Sequence, residues 1–329
     1  MSGVLLSVQD LHVRFRTYAG VVYAVNGMTF DIRHSEMFGL VGESGCGKSV
    51  TGLSIVNMVP RGGEITAGQI LMDGKNLLAM GEEEMQGIRG RRIAMIFQDP
   101  ARSLNPVFTV GNQTVRVIRQ HILVSKEEAY QRALQTFDAI ALPDPERIFR
   151  SYPHELSGGM QQRIMIAMAL SCGAELLIAD EPTTALDVTI QAQILALLAE
   201  LRKTQQISIL LITHNLGVVA ETCDRVGVAY AGRVVEMGNT DDVLFRSKHP
   251  YTQGLLAALP QPSSRKATLQ SIPGSVPDGL TLLPGCAFYE RCPFAMPACQ
   301  EKPPPLLPVG EPGEGHQVAC YLYPKGAPA

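Results

Sequence analysis

An apolar run, MFGLVG (37–42), breaks into GESGCGKS (Gly42–Ser49), and a segment with helical spacing, SVTGLSIVNMV (49–59), follows it. No other feature of the chain restricts the fold as strongly. The pattern G-x-x-x-x-G-K-[ST] needs a strand before it and a helix after it: the glycines turn successive backbone N–H groups inward around phosphate oxygens, and the helix presents its positive end to them. Lys48 has the reach to meet the β- and γ-phosphates of a nucleoside triphosphate, and the Ser49 hydroxyl can ligate Mg²⁺. The binding residues expected here are Gly42, Ser44, Gly45, Gly47, Lys48, Ser49 and Val50.

LLIADEP (176–182) supplies the chemistry that a phosphate loop lacks. An apolar strand ends in Asp180, whose carboxylate can hold Mg²⁺. Glu181 follows at once, placed to orient or deprotonate an attacking water. Acidic residues at strand ends are common on surfaces, so the pair gains its meaning from the glycine loop.

The rest of the chain fits an α/β protein. Residues 4–33 alternate apolar and polar, as two strands with a loop at 17–20 would. ELLIAD (175–180) and SILLIT (208–213) are continuous apolar runs, as strands buried on both faces are. RRIAMIFQDP (91–100) reads as a further strand, 107–150 as largely helical, 157–170 as a helix capped by Ser157, and 189–203 as another helix. Strand–helix–strand alternation with buried strands argues for an α/β sheet. Net charge is −3, which argues against a broad basic surface for nucleic acid. No basic, apolar leader opens the chain, and no apolar run reaches the ~18–20 residues that a spanning helix needs.

Three further pieces carry a resemblance. LSGGMQQR (Leu156–Arg163) resembles the signature sequence of ABC ATPases. IFQDP puts Gln98 at the place of their Q-loop glutamine, and LITHN puts His214 at that of their switch histidine. TALD (184–187) looks like their D-loop. Order and spacing agree from residue 4 to about 235. The resemblance implies an ABC-type P-loop domain over 1–250, with a mixed sheet and a helical signature subdomain at about 100–170. A small loop-rich cysteine domain would occupy 251–329.

It also implies two such domains closed head to tail. Each ATP would lie between one chain's phosphate loop and the other chain's Ser157, Gly158, Gly159 and Gln161. Gln98 would sense Mg²⁺ and water, with Ser49 and Asp180 as its other ligands. Glu181 would be the base, His214 would hold the γ-phosphate and Asp187 would couple the two sites. Tyr18 is the expected adenine platform, with Tyr23 as competitor. Two departures stand out: Asn215 where the family often has Asp, and Thr184 where Ser is frequent. Cys46, at a variable loop position, is expected to do no chemistry, and Cys172 and Cys223 read as buried thiols.

QDPARSLNP (98–106), ADEPTTALDVTIQAQIL (179–195), HPYTQGLLAALP (249–260) and the cysteine tail resemble one branch, the dipeptide/oligopeptide importer ATPases, which also contains nickel and some oligosaccharide importers. That branch implies a second, homologous ATPase subunit, two transmembrane permeases and an extracytoplasmic solute-binding protein. It places the chain peripherally on the cytoplasmic face of the plasma (inner) membrane. The rival reading is a soluble ABC ATPase acting on nucleic acid or the ribosome. The chain has a single signature and lacks the coiled-coil or zinc insertions of DNA-repair members.

Residues 259–329 hold fourteen prolines and four of the seven cysteines, Cys286, Cys292, Cys299 and Cys320. Idle thiols would be an oxidation liability, and two disulfides suit an oxidising compartment. Zinc prefers C-x-x-C knuckles, which are absent. Four thiolates at wider spacing match a 4Fe–4S cluster, and in the resembling branch such a tail is associated with one. Zinc stays the alternative. The expected role is to fix the shape of a tail too poor in periodicity to bury much core. His316 reads as a surface residue.

Overall fold

The protein is described by a computed structural model over residues 3–184, 186–259, 271–310 and 315–323. The alternating stretches at its start form two long strands, β1 (Val4–Thr17) and β2 (Gly20–Arg33), around the turn at Tyr18 and Ala19. The apolar run is β3 (Met37–Val41), every residue of it buried, and the helix behind the glycine loop is α1 (Lys48–Ile55). Strands β4 (Gly63–Met72) and β5 (Lys75–Asn76) and helix α2 (Glu82–Ile88) come next.

The strand expected over 91–100 is shorter, β6 (Ile93–Ile96). Asp99 has already begun a helix, α3 (Pro100–Ser103): its carboxylate accepts the N–H groups of Ala101 and Arg102, and Pro100 sits in the first turn, where a missing N–H goes unnoticed. The helical stretch resolves into α4 (Val110–His121), α5 (Lys126–Ala139) and α6 (Pro145–Arg150), followed by α7 (Gly158–Leu170).

Then come β7 (Leu176–Asp180), α8 (Val188–Gln205), β8 (Ser208–Thr213), α9 (Leu216–Thr222), β9 (Arg225–Tyr230) and β10 (Arg233–Asn239). Helices α10 (Thr240–Phe245) and α11 (Pro250–Ala257) close the regular part. Beyond residue 271 the elements are short: α12 (Ala298–Glu301), β11 (Leu307–Pro308) and β12 (Gln317–Val318).

Chain contacts group these elements into two compact units. The first holds Arg33–Met37 and Ala79–Ile212. In it β7 lies between β6 and β8 and runs parallel to both, with Ile178 opposite Met95 and Leu210. Strands buried on both faces tolerate only apolar side chains, which is why β7 and β8 read as unbroken runs. The helices pack around Val115, Ile118, Ala129, Ala133 and Cys172, with Tyr130 set edge-on to Phe149 at 4.8 Å. Cys172 is a core residue, as expected.

The second unit holds Val4–Ile32, Phe38–Leu78 and the chain from Thr213. One of its sheets has the order β2-β1-β4-β5, with β4 antiparallel to both β1 and β5. Another layer is mixed: β3 runs parallel to β9, and β10 runs antiparallel to it. The C-terminal segment extends this edge, since β12 pairs with β10 and β11 with β12, both antiparallel. The architecture is α/β with mixed strand pairing. Among the described residues, no helix is long and apolar enough to cross a membrane.

Candidate nucleotide site

The phosphate loop lies in the second unit, between β3 and α1. Its glycines are sterically required. A Cβ on Gly42 would come within 2.1 Å of the Ala229 carbonyl oxygen, and one on Gly47 within 2.4 Å of that of Ala24. Gly47 also has φ +91° and serves as the N-cap of α1, a conformation that other residues adopt at a cost.

Lys48 is 6% exposed. Its Nζ donates to the carbonyls of Gly42 (2.8 Å) and Glu43 (3.0 Å) and lies 3.4 Å from Cys46 Sγ, so the ammonium is held inside the loop's curve. Ser44, Gly45 and Ser49 are exposed and Val50 is half-buried. Cys46 is fully buried, and that burial pushes its thiol up despite the nearby Lys48, which keeps it protonated and inert. Tyr18 stands fully exposed at the β1–β2 turn, whereas Tyr23 is half-buried and its N–H donates to the Gly279 carbonyl at 2.8 Å. His214, exposed, follows β8; next to it Asn215 caps α9, accepting from the N–H groups of Gly217 and Val218.

The acidic residues lie in the first unit. Asp180 ends β7 and is 7% exposed. Glu181 has φ +47°, a strained backbone for a residue with a side chain, and its N–H is held by the Ile212 carbonyl at 2.9 Å. The structure brings Gln98 and Glu181 together: Gln98 Nε2 donates to Glu181 Oε2 at 3.1 Å. Thr184 Oγ1 donates to the same oxygen at 2.8 Å. The sequence had marked Thr184 only as a departure from Ser; in place, its hydroxyl fixes the Glu181 carboxylate.

Ser157 is the N-cap of α7, its Oγ accepting from Met160 N–H, and Asp187 is the N-cap of α8, accepting from Ile190 N–H. Ser157, Gly158 and Asp187 are exposed and Gly159 is half-buried. Gln161 is already engaged: its Nε2 donates to the carbonyls of Pro153 and Leu156 (2.9 and 3.1 Å) and so holds the segment leading into the helix. The start of α7 therefore offers free-standing N–H groups and a serine hydroxyl at a positive helix end, suited to an anion.

In the C-terminal segment Cys286, Cys292, Cys299 and Cys320 come near one another. Cys286 N–H donates to the Cys299 carbonyl at 2.7 Å. Burial pushes the thiols of Cys286 and Cys320 up to about 11, and the proximity of the other cysteines pushes in the same direction. Burial, and then Cys299, likewise raises Cys292. Their arrangement is not a ligand set: among the described residues, no group of three or more His, Cys, Asp or Glu is placed to hold a metal ion. His316 is not on the surface. It is 4% exposed, and its Nε2 pairs with the fully buried Glu236 at 2.9 Å. A buried carboxylate needs partners, and this histidine supplies one.

A glycine cradle around a lysine, a carboxylate held by glutamine and threonine after an apolar strand, and a serine-capped helix are the parts of an ATP-binding cassette. The "ABC transporter" family profile matches residues 25–184, and that of "Oligopeptide/dipeptide transporter, C-terminal region" matches 235–299. The dipeptide transport ATP-binding protein DppD of Bacillus subtilis is 47% identical over 98% of this chain and 96% of its own length. The oligopeptide transport ATP-binding protein OppD of Escherichia coli is 48% identical over 96% of this chain and 93% of its own. Among solved structures, the dimeric post-hydrolysis state of the ATP-binding cassette MJ0796, bound to ADP and Pi, superposes with a TM-score of 0.62 at 25% identity, covering 71% of this chain and 98% of that one. The chain belongs to the peptide ABC transporter ATP-binding protein family, and its chemistry is ABC-type ATP hydrolysis.

Proposed function

We propose that the chain powers uptake of di- or oligopeptides by hydrolysing ATP beneath partner permeases. The observation that carries this reading is the C-terminal region matched at 235–299, joined to a cassette whose Glu181 carboxylate is held by two donors. In this reading the amides of Gly42, Ser44, Gly45, Gly47, Ser49 and Val50, with Lys48, bind the phosphates. Ser49, Gln98 and Asp180 hold Mg²⁺, Tyr18 stacks on the base and His214 holds the γ-phosphate. Glu181, oriented by Gln98 and Thr184, takes the proton of the attacking water. Ser157, Gly158 and Gly159 serve the nucleotide of a second, homologous ATPase subunit, with Asp187 at that interface. Gln161 supports this segment from behind. A solute-binding protein delivers the peptide outside, and the chain sits peripherally on the cytoplasmic face. Residues 1–250 form the motor and 251–329 its extension. The overall charge of −3 gives no support to a nucleic-acid or ribosomal role.

For the cysteine segment, the donor atoms are right for a 4Fe–4S cluster or a zinc ion, and the thiols are mutual neighbours. They would have to close in to ligate either. Anaerobic purification with metal analysis tests this: about four irons per chain supports the cluster, one zinc supports the alternative, and no metal leaves four thiols. The transport reading is tested by deleting the gene and measuring uptake of labelled di- and oligopeptides. Loss of uptake, restored by the wild-type chain and not by Glu181→Gln, is expected; unchanged uptake of every peptide contradicts it.

A further inference from the structure

The residue that follows Gly42 in the phosphate loop is committed on every side. Glu43 N–H donates to the Tyr251 hydroxyl at 3.0 Å, and its carbonyl accepts from Lys48. Its carboxylate takes both arms of Arg291, Nη1 to Oε2 at 2.8 Å and Nη2 to Oε1 at 3.2 Å. Arg291 is 5% exposed at its side chain. Its remaining donors are spent as well, Nε on the Pro273 carbonyl at 3.0 Å and Nη1 on the Tyr230 hydroxyl at 3.3 Å. The guanidinium also lies within 6 Å of the ring centres of Tyr230 and Phe288. Such a fork is rigid, and a rigid fork fixes the position of what it grips.

Both anchors, Tyr251 and Arg291, come from the region beyond residue 235, and Arg291 sits in the turn between Cys286 and Cys292. Glu43 itself has no group left for a nucleotide. Its place decides where the stretch Ser44–Ser49 begins. The geometry points to Arg291 as a positioning residue for ATP binding, acting through Glu43, so that the cysteine segment sets the shape of the phosphate loop. This rests on the reading of Gly42–Ser49 as the ATP site.

Steady-state ATPase kinetics on the full chain test it. Arg291→Ala is expected to raise KM for ATP about tenfold while kcat changes by no more than about twofold, the loss that a charged, bidentate contact predicts when it orders a binding loop. Arg291→Lys, which keeps the charge without the fork, should fall between the two. Glu43→Ala should reproduce the KM shift with the extension untouched, and the double variant should be no worse than either single one. If Arg291→Ala does not fold, Glu43→Ala decides alone. An unchanged KM in Glu43→Ala, or effects that multiply in the double variant, would overturn the proposal. A wild-type chain that binds no ATP would instead overturn the reading of the loop.

Discussion

His249 is 1% exposed, and its ring Nδ1 accepts the Tyr251 N–H at 3.0 Å, so the ring must be unprotonated there. Burial depresses it from 6.5 to about 4, against the pull of Glu236. The unfolded chain therefore binds a proton near pH 6.5 that the folded chain refuses until about pH 4. Its contribution to stability is whole above pH 6.5 and is lost as pH falls through that window. Between pH 7.5 and 5 the loss from this group comes to about 2 kcal/mol. His249→Asn keeps an acceptor for the cap and cannot titrate. Denaturant unfolding at the two pH values should show a smaller drop in the variant than in the wild type; equal drops would remove His249 from the account. At this scale the placement of residues was legible where a motif fixes it, as for Lys48 inside the glycine loop and Glu181 directly after β7. It was not legible where burial decides. Nothing local marks His316 as the partner of Glu236, eighty residues away, or Arg291 as the partner of Glu43.

Helix starts do much of the positioning. Ser157, Asp187 and Asn215 each cap a helix with a side-chain oxygen, and each lies within a motif that the sequence offered as functional. Asn215, where the family often has Asp, caps α9 as well as an aspartate would, because both present an acceptor to the same N–H groups. Asn215→Asp should leave thermal stability unchanged, while Asn215→Ala should cost about 1 kcal/mol, read as a fall in Tm. An equal fall in both would mean that something other than capping is at work. Strands buried on both faces, β7 and β8, were readable as unbroken apolar runs. The short C-terminal strands β11 and β12 were not, since two residues carry no periodicity and their pairing with β10 is a long-range event. The end of β6 was missed because the cap at Asp99 overrides the apolar run before it.

On the scale of the whole molecule, the phosphate loop and His214 belong to one compact unit, and Gln98, Asp180, Glu181 and the signature helix to the other. The loop-rich tail looked from sequence like an addition to a finished machine. Yet its arginine, Arg291, grips Glu43 of the phosphate loop with both arms. In the proposed function Glu181 is the base of an ATPase cassette. The most direct measurement is ATP binding and hydrolysis by the purified chain and by Glu181→Gln, side by side. The account predicts that the variant binds ATP as well as the wild type and loses hydrolysis by at least about a hundredfold. A variant that turns over ATP at the wild-type rate would contradict it.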